Sequence, residues 1–170
     1  MLVVCVCVSC VCVGCVCVFC GDVCVPVCVG VCIQTHAQVQ IHVEVPFLLT
    51  KGLYEQLKSK SGSIIGLVDT SQGRAWQDLT HYTSSKNALR QMMINLAGDL
   101  HPHVRVNCIA PGAIISADWE IEHFASVLEK VPMGRSGEPK DIASAAKFLL
   151  ESEHISGQII NVDGGWTLVE

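Results

Sequence analysis

No lysine or arginine occurs before Lys51, and no Gly-x-x-x-Gly-x-Gly occurs before Val39. The first absence leaves the leading apolar stretch without the positive flank that orients a signal peptide or a membrane span. The second removes the glycine turn through which backbone N–H groups and a helix N-terminus approach a pyrophosphate. Blocks of one charge are missing too. Eleven basic and 16 acidic residues give a net charge of −5 spread along the chain, so neither nucleic acid nor an anionic membrane is indicated as a partner.

Residues 1–33 have almost no polar spacing and are almost wholly Val, Cys and Gly, although the hydrophobic content of the whole chain is 50%. Ten of the 11 cysteines fall between Cys5 and Cys32, mostly in Cys-Val alternation. Four readings compete. A disulfide framework needs polar turns, and bonds between cysteines two apart on a strand are geometrically poor. A thiolate metal cluster needs solvation and outer-sphere hydrogen bonds that valine spacers do not offer, so no metal is expected. A membrane span gains from about thirty apolar residues, interrupted by Asp22 and Pro26. The translation of a repeated thymine-guanine dinucleotide, TGT then GTG, yields Cys-Val-Cys-Val with no function attached. Residues 1–36 are therefore expected to be a low-complexity segment rather than a native domain. Alternating Val still favours strand locally, as an aggregation-prone ribbon.

Ordinary soluble sequence begins at Val39, and its centre is Gly62 to Lys86. Ile64, Ile65, Leu67 and Val68 read as a buried strand, and Asp69 follows at the carboxyl edge, where open α/β sheets bind ligands. Tyr82 and Lys86, four apart on a helix, share one face. An ammonium near a phenol favours phenolate, lowers the phenol's pKa from about 10 and suits it to general acid work. By itself such a pair also arises by chance on an exposed helix.

The context adds meaning. A glycine-flanked strand, a thirteen-residue step to Tyr82-x-x-x-Lys86, and then Val104-Arg105-Val106-Asn107-Cys108-Ile109-Ala110-Pro111-Gly112 together resemble the catalytic half of the short-chain dehydrogenase/reductases. The family usually carries Ser thirteen residues before the Tyr. Asp69 stands there, as in its pteridine and dihydromonapterin reductase branch, and Gln40-Ile41-His42-Val43 followed by Pro46 and Leu48-Leu49 is similar to the same branch. The resemblance runs from Val39 to the end.

It implies NADPH (or NADH) as cofactor, a pterin or folate-like substrate, a cytoplasmic setting and a homo-oligomer. Tyr82 would be the acid, Lys86 would tune it and hold the nicotinamide ribose, and Asp69 would orient or help protonate the substrate. Pro111, Gly112 and Ile114 would lie beside the nicotinamide. His42 occupies a position where many members have an Asn proton relay, which leaves that relay in doubt.

Around this centre, a helix is expected from Pro46 to about Ser59, with Phe47, Leu48, Leu49, Leu53 and Leu57 as its apolar face. A polar loop follows over 70–80, with Trp76 packing. A helix over 81–100 should bury Ala88, Leu89, Met92, Met93 and Leu96, and His101 and His103 should be solvated turn residues. Val104, Val106 and Cys108 alternate as a second strand, and Asp118 can cap a helix containing Ile121, Phe124, Val127 and Leu128. The resemblance makes that helix a substrate-covering lid. Pro139 starts a helix to about Glu151, and 157–162 reads as a third strand.

Strand, helix, strand, helix, strand implies a partial Rossmann-like, doubly wound parallel α/β sheet over 39–170. The first strand would expose an edge where the segment before Val39 offers no ordinary strand and helix pattern. Two other functional classes stay open: a non-catalytic partial chain or subunit-pairing protein, and a membrane-anchored or thiol-rich binding module defined by residues 1–33.

Deleting residues 1–36 is expected to raise solubility and to leave every ligand-dependent property in place. Loss of a stoichiometric zinc or copper complex, or of carbonate-resistant membrane association, on that deletion would count for the thiol or membrane reading instead.

Overall fold

The computed structural model describes residues 3–6, 16–20, 23–27, 31–71, 73, 75–76, 79–115 and 121–169. Strands β1 (Val3–Val6), β2 (Val16–Cys20) and β3 (Val23–Val27) form an antiparallel sheet in the order β1-β2-β3, as period-two valine favours. A second sheet holds β4 (Ser63–Leu67), β5 (Arg105–Pro111) and β6 (Ile159–Val162), all parallel, in the order β4-β5-β6. Helix α3 (Thr80–Asp99) connects β4 to β5. Helices α4 (Ile121–Leu128) and α5 (Pro139–Glu151) connect β5 to β6. This is the expected Rossmann-like α/β arrangement.

The middle strand organises the core. All five of its interior residues are buried, as parallel strands covered on both faces require. Val106, Cys108 and Ala110 pack with Leu89, Met93 and Leu96 of α3. On the other face Asn107 is buried but satisfied. Its amide donates to Ile155 O at 2.9 Å, and its carbonyl oxygen accepts from Gln158 N at 3.0 Å, which ties the α5–β6 turn to β5. Arg105 reaches the end of α5, where its guanidinium donates to the carbonyls of Leu149, Leu150 and Ser152 at 2.8 to 3.0 Å. A fixed cation thereby satisfies carbonyls that a helix terminus leaves open. Burial of Cys108 in this core pushes its thiol pKa up to about 11, so the thiol is an inert packing group.

Several expectations are corrected. Leu67 is 52% exposed, and Ile64 and Ile65 are only partly covered, because β4 is the edge of its sheet. Ala88 is exposed, whereas Leu89, Met93 and Leu96 are buried. The helix expected to start at Pro46 begins upstream, as α1 (Val31–Val39), a π-helical segment (Gln40–Glu44) and α2 (Val45–Ser59) in succession. Pro46 has no N–H for the carbonyl of residue 42, and the wider turn falls where that bond is missing. The apolar face expected on this helix is present and open, with Phe47, Leu48, Leu49 and Leu53 of α2 each about half exposed or more. Trp76 packs edge-on against Trp166 with centroids 5.3 Å apart, as its reading as a packing residue requires. His101 and His103 are exposed. Asp118 lies outside the described residues.

Arg105→Met removes the three charge-assisted bonds at the end of α5 while keeping most of the side-chain volume. A loss of about 2 kcal/mol in unfolding free energy is expected, read as a lower urea midpoint; an unchanged midpoint would show that the α5 terminus does not need this cation.

Candidate functional site

The site forms where β4 ends. Gly66 lets α3 approach the strand: a Cβ there would lie 2.8 Å from Met93 Cε. This close approach brings the first turns of α3 to the strand's carboxyl end. Beyond Leu67 the backbone is held to the central strand, as Val68 N donates to Ile109 O at 2.9 Å. Asp69 then turns the chain, its Oδ1 accepting from Ser71 N at 2.7 Å.

Tyr82 Oη donates to Asp69 Oδ2 at 2.9 Å, which closes the thirteen-residue step seen in the sequence. Lys86 Nζ donates to Leu67 O at 3.0 Å and lies 5.8 Å from the centroid of the Tyr82 ring. Burial lowers the Lys86 pKa and the neighbouring Asp69 pulls it back up, with burial the larger effect. The ammonium has three N–H groups, and Leu67 O takes one.

His42 joins them from the π-helical segment, its ring edge-on to Tyr82 with centroids 6.0 Å apart. Ser85 Oγ donates to Tyr82 O at 2.7 Å and lies 2.9 Å from His42 Nδ1. A hydroxyl has one proton, so Ser85 accepts from His42 Nδ1–H, and the neutral imidazole keeps Nε2 as an acceptor. Burial first, and Lys86 second, lower the His42 pKa, favouring that neutral form. Sequence reading missed Ser85, which is fully buried. Its spacing of three from Tyr82 on one helix face was the available signal.

The loop after β5 lies at the same sheet edge. Pro111 O accepts from Thr70 Oγ1 at 3.3 Å, which links the loop to the Asp69 turn. Gly112 N donates to Val162 O at 3.0 Å, and a Cβ at Gly112 would lie 2.7 Å from Asp163 Cα, so no other residue fits without displacing that backbone. Ile114 packs against Gly137, where an added Cβ would meet the tip of the Ile114 side chain. Asp69, Lys86 and His42 thus gather around Tyr82, and Pro111, Gly112 and Ile114 belong to the following loop.

A groove of about 520 Å³ runs between α2 and β4, with Leu49, Leu53 and Leu57 on one wall, Ile64 and Ile65 on the other, and His42 and Lys86 also lining it. Among the described residues no cluster of His, Cys, Asp and Glu could hold a metal, and no helix is long and apolar enough to cross a membrane.

The family profile described as enoyl-(acyl carrier protein) reductase matches residues 34–167. The chain is 34% identical over 131 residues to the dihydromonapterin reductase of Enterobacter sp. (strain 638), covering 75% of this chain and 55% of that one. It is 38% identical over 120 residues to the 7alpha-hydroxysteroid dehydrogenase of Escherichia coli (strain K12), covering 65% and 46%. Among solved structures, the FolM alternative dihydrofolate reductase 1 from Brucella canis complexed with NADP overlays with a TM-score of 0.75 and 27% identity, over 81% of this chain and 56% of that one. The chain spans about half the length of the curated relatives it matches.

A lysine whose pKa is lowered by folding binds fewer protons folded than unfolded, so it costs stability at neutral pH, and that cost disappears as pH rises to the unfolded value of about 10.4. Lys86→Met is therefore expected to match or exceed the parent chain in denaturant midpoint at pH 7, with the gain fading as pH approaches about 10. A lower midpoint at pH 7 would show that the bond to Leu67 O outweighs the cost of burial.

Proposed function

Because this chain belongs to the short-chain dehydrogenase/reductase family, we propose that it carries the catalytic part of an NAD(P)H-dependent reductase acting on a C=N bond of a dihydropterin or dihydrofolate-like substrate. The observation that carries this reading is the Tyr82–Asp69 hydrogen bond beside Lys86. A phenol placed against a carboxylate, rather than against the hydroxyl usual at that step, suits a substrate that offers N–H donors. A carboxylate only accepts, and charge-assisted bonds to it are the stronger kind. The dihydromonapterin reductase and dihydrofolate reductase names among the relatives support the same reading.

The nicotinamide, when bound, supplies the hydride. The residues present fit its ribose end: Lys86 has N–H donors beyond the one given to Leu67 O, and Gly112 opens the loop where a side chain would collide with Asp163. Tyr82 gives its proton to the substrate nitrogen, and Asp69 accepts a substrate N–H and orients the ring. His42 fixes Ser85, and through it the first turn of α3, while its Nε2 is an acceptor for a relayed proton. Residues 1–36 take no part in this assignment.

A second reading, subunit pairing, rests on the exposed apolar residues of the π segment and α2: Ile41 is 63% exposed, Leu48 62% and Leu49 57%. Self-association through this face is compatible with the reductase reading and makes the working form a homo-oligomer.

Joining residues 39–170 to the nucleotide-binding half of a relative is expected to give NADPH-dependent dihydropterin reduction, whereas the 170-residue chain alone binds NADPH weakly by fluorescence titration. Tyr82→Phe in the joined protein should lower turnover by roughly a hundredfold to ten-thousandfold, as loss of a general acid does. Asp69→Ser should shift preference from pterins more than it weakens cofactor binding. A joined protein that reduces steroids or simple ketones and ignores dihydropterins would overturn the substrate assignment.

A further inference from the structure

Three charged or titratable groups face the Tyr82 phenol among the described residues, each from a different place in the fold. Asp69, from the loop after β4, accepts the phenol proton directly at 2.9 Å. Lys86, from the next turn of α3, lies 5.8 Å from the ring centroid and aims a hydrogen at Leu67 O. His42, from the π-helical segment, meets the ring edge at 6.0 Å and is committed to Ser85.

We propose that Asp69, by accepting the Tyr82 proton in the resting site, holds the phenol protonated beyond its ordinary range, so that the site is set to give a proton rather than to take one. This reverses the sign expected from Lys86 alone, and it rests on the reading of Tyr82 as the proton donor. Removing the proton would turn a charge-assisted O–H···O⁻ bond into two anions less than about 3 Å apart, and a like charge in contact disfavours ionisation strongly.

Lys86 works against this less effectively than its position suggests. Burial lowers its own pKa, and the hydrogen bond it makes goes to Leu67 O rather than to the phenol oxygen. His42 is held toward its neutral form and contributes little charge. Of the three groups, Asp69 is the one in hydrogen-bond contact with the phenol oxygen.

In the proposed reduction, hydride forms the new C–H bond and the electron pair of the C=N bond moves to nitrogen. There the Tyr82 Oη–H bond breaks and N–H forms. The phenolate left beside Asp69 is disfavoured and regains a proton from water. The reverse step, in which a phenolate takes a proton from an amine, begins from a state that Asp69 keeps scarcely populated.

The chain has two tyrosines, Tyr54 and Tyr82, so in a Tyr54→Phe background the near-ultraviolet phenolate absorbance reports Tyr82 alone. The full 170-residue chain is taken through rapid pH jumps, which read the folded state. The parent background is expected to titrate above the ordinary tyrosine value of about 10, and Asp69→Asn to lower the midpoint by about one unit or more, a tenfold loss of proton affinity. Asp69→Ser should shift it in the same direction, and Lys86→Met should not lower it. A parent midpoint at or below about 10, or one that neither Asp69 variant moves while near-ultraviolet circular dichroism is retained, overturns the proposal. No turnover is measured, so this result and that of the joined enzyme stand or fall separately.

Discussion

Burial of β5 between two helices is the constraint on which the rest of this fold depends. A strand paired on both edges and covered on both faces must be apolar along its length, and Val106, Cys108, Ile109 and Ala110 meet that requirement. Its neighbours then have no freedom in register. Gly66 is placed opposite Cys108 and Ile109 opposite Ile160, so the carboxyl ends of all three strands open at one edge. The bonds from Val68 N to Ile109 O and from Gly112 N to Val162 O carry that register into the loops. Asp69 and Gly112 thus owe their places to the core rather than to each other.

Much of this was legible because the relevant signals are local. Pro139 at the first position of α5 starts that helix as written, and it ends at Glu151. The alternation Val104, Val106, Cys108 marked β5, and the i, i+4 spacing put Tyr82 and Lys86 together. What was not legible depends on which surface is covered. The apolar residues of α2 form a good stripe, yet about half or more of the surface of Phe47, Leu48 and Leu49 meets solvent, since a stripe states that a face wants burial and not what supplies it. Ala88 was misplaced because a small residue at a stripe boundary carries little packing preference. The edge position of β4 follows from strand order, which no single strand encodes.

His42 shows a different kind of illegibility. Its position in the sequence pattern was visible, but its partner was not. Helical spacing from α2 gives no hint of Ser85, 43 residues away, and the π-helical turn that presents the imidazole arises from a missing N–H four residues on, at Pro46. Once Ser85 commits its only proton to Tyr82 O, the tautomer of His42 follows from counting donors. A buried serine within α3 therefore decides which ring nitrogen carries the proton.

The carboxylate at residue 69 has consequences beyond holding a phenol. Under the proposed reaction, the atom that receives the proton sits close to a negative charge. Reduction of a carbonyl builds negative charge on oxygen at that point, and a neighbouring carboxylate opposes it. Reduction of an imine-like nitrogen, above all one already sharing a proton, ends in a neutral or cationic amine that the carboxylate favours. Each unit of pKa difference between two such outcomes is worth about 1.4 kcal/mol, so a modest electrostatic preference becomes a tenfold choice of chemistry. A serine in the same place, able to donate as well as accept, would stabilise either product. Under that reading, residue 69 selects the charge type of the product rather than the shape of the substrate.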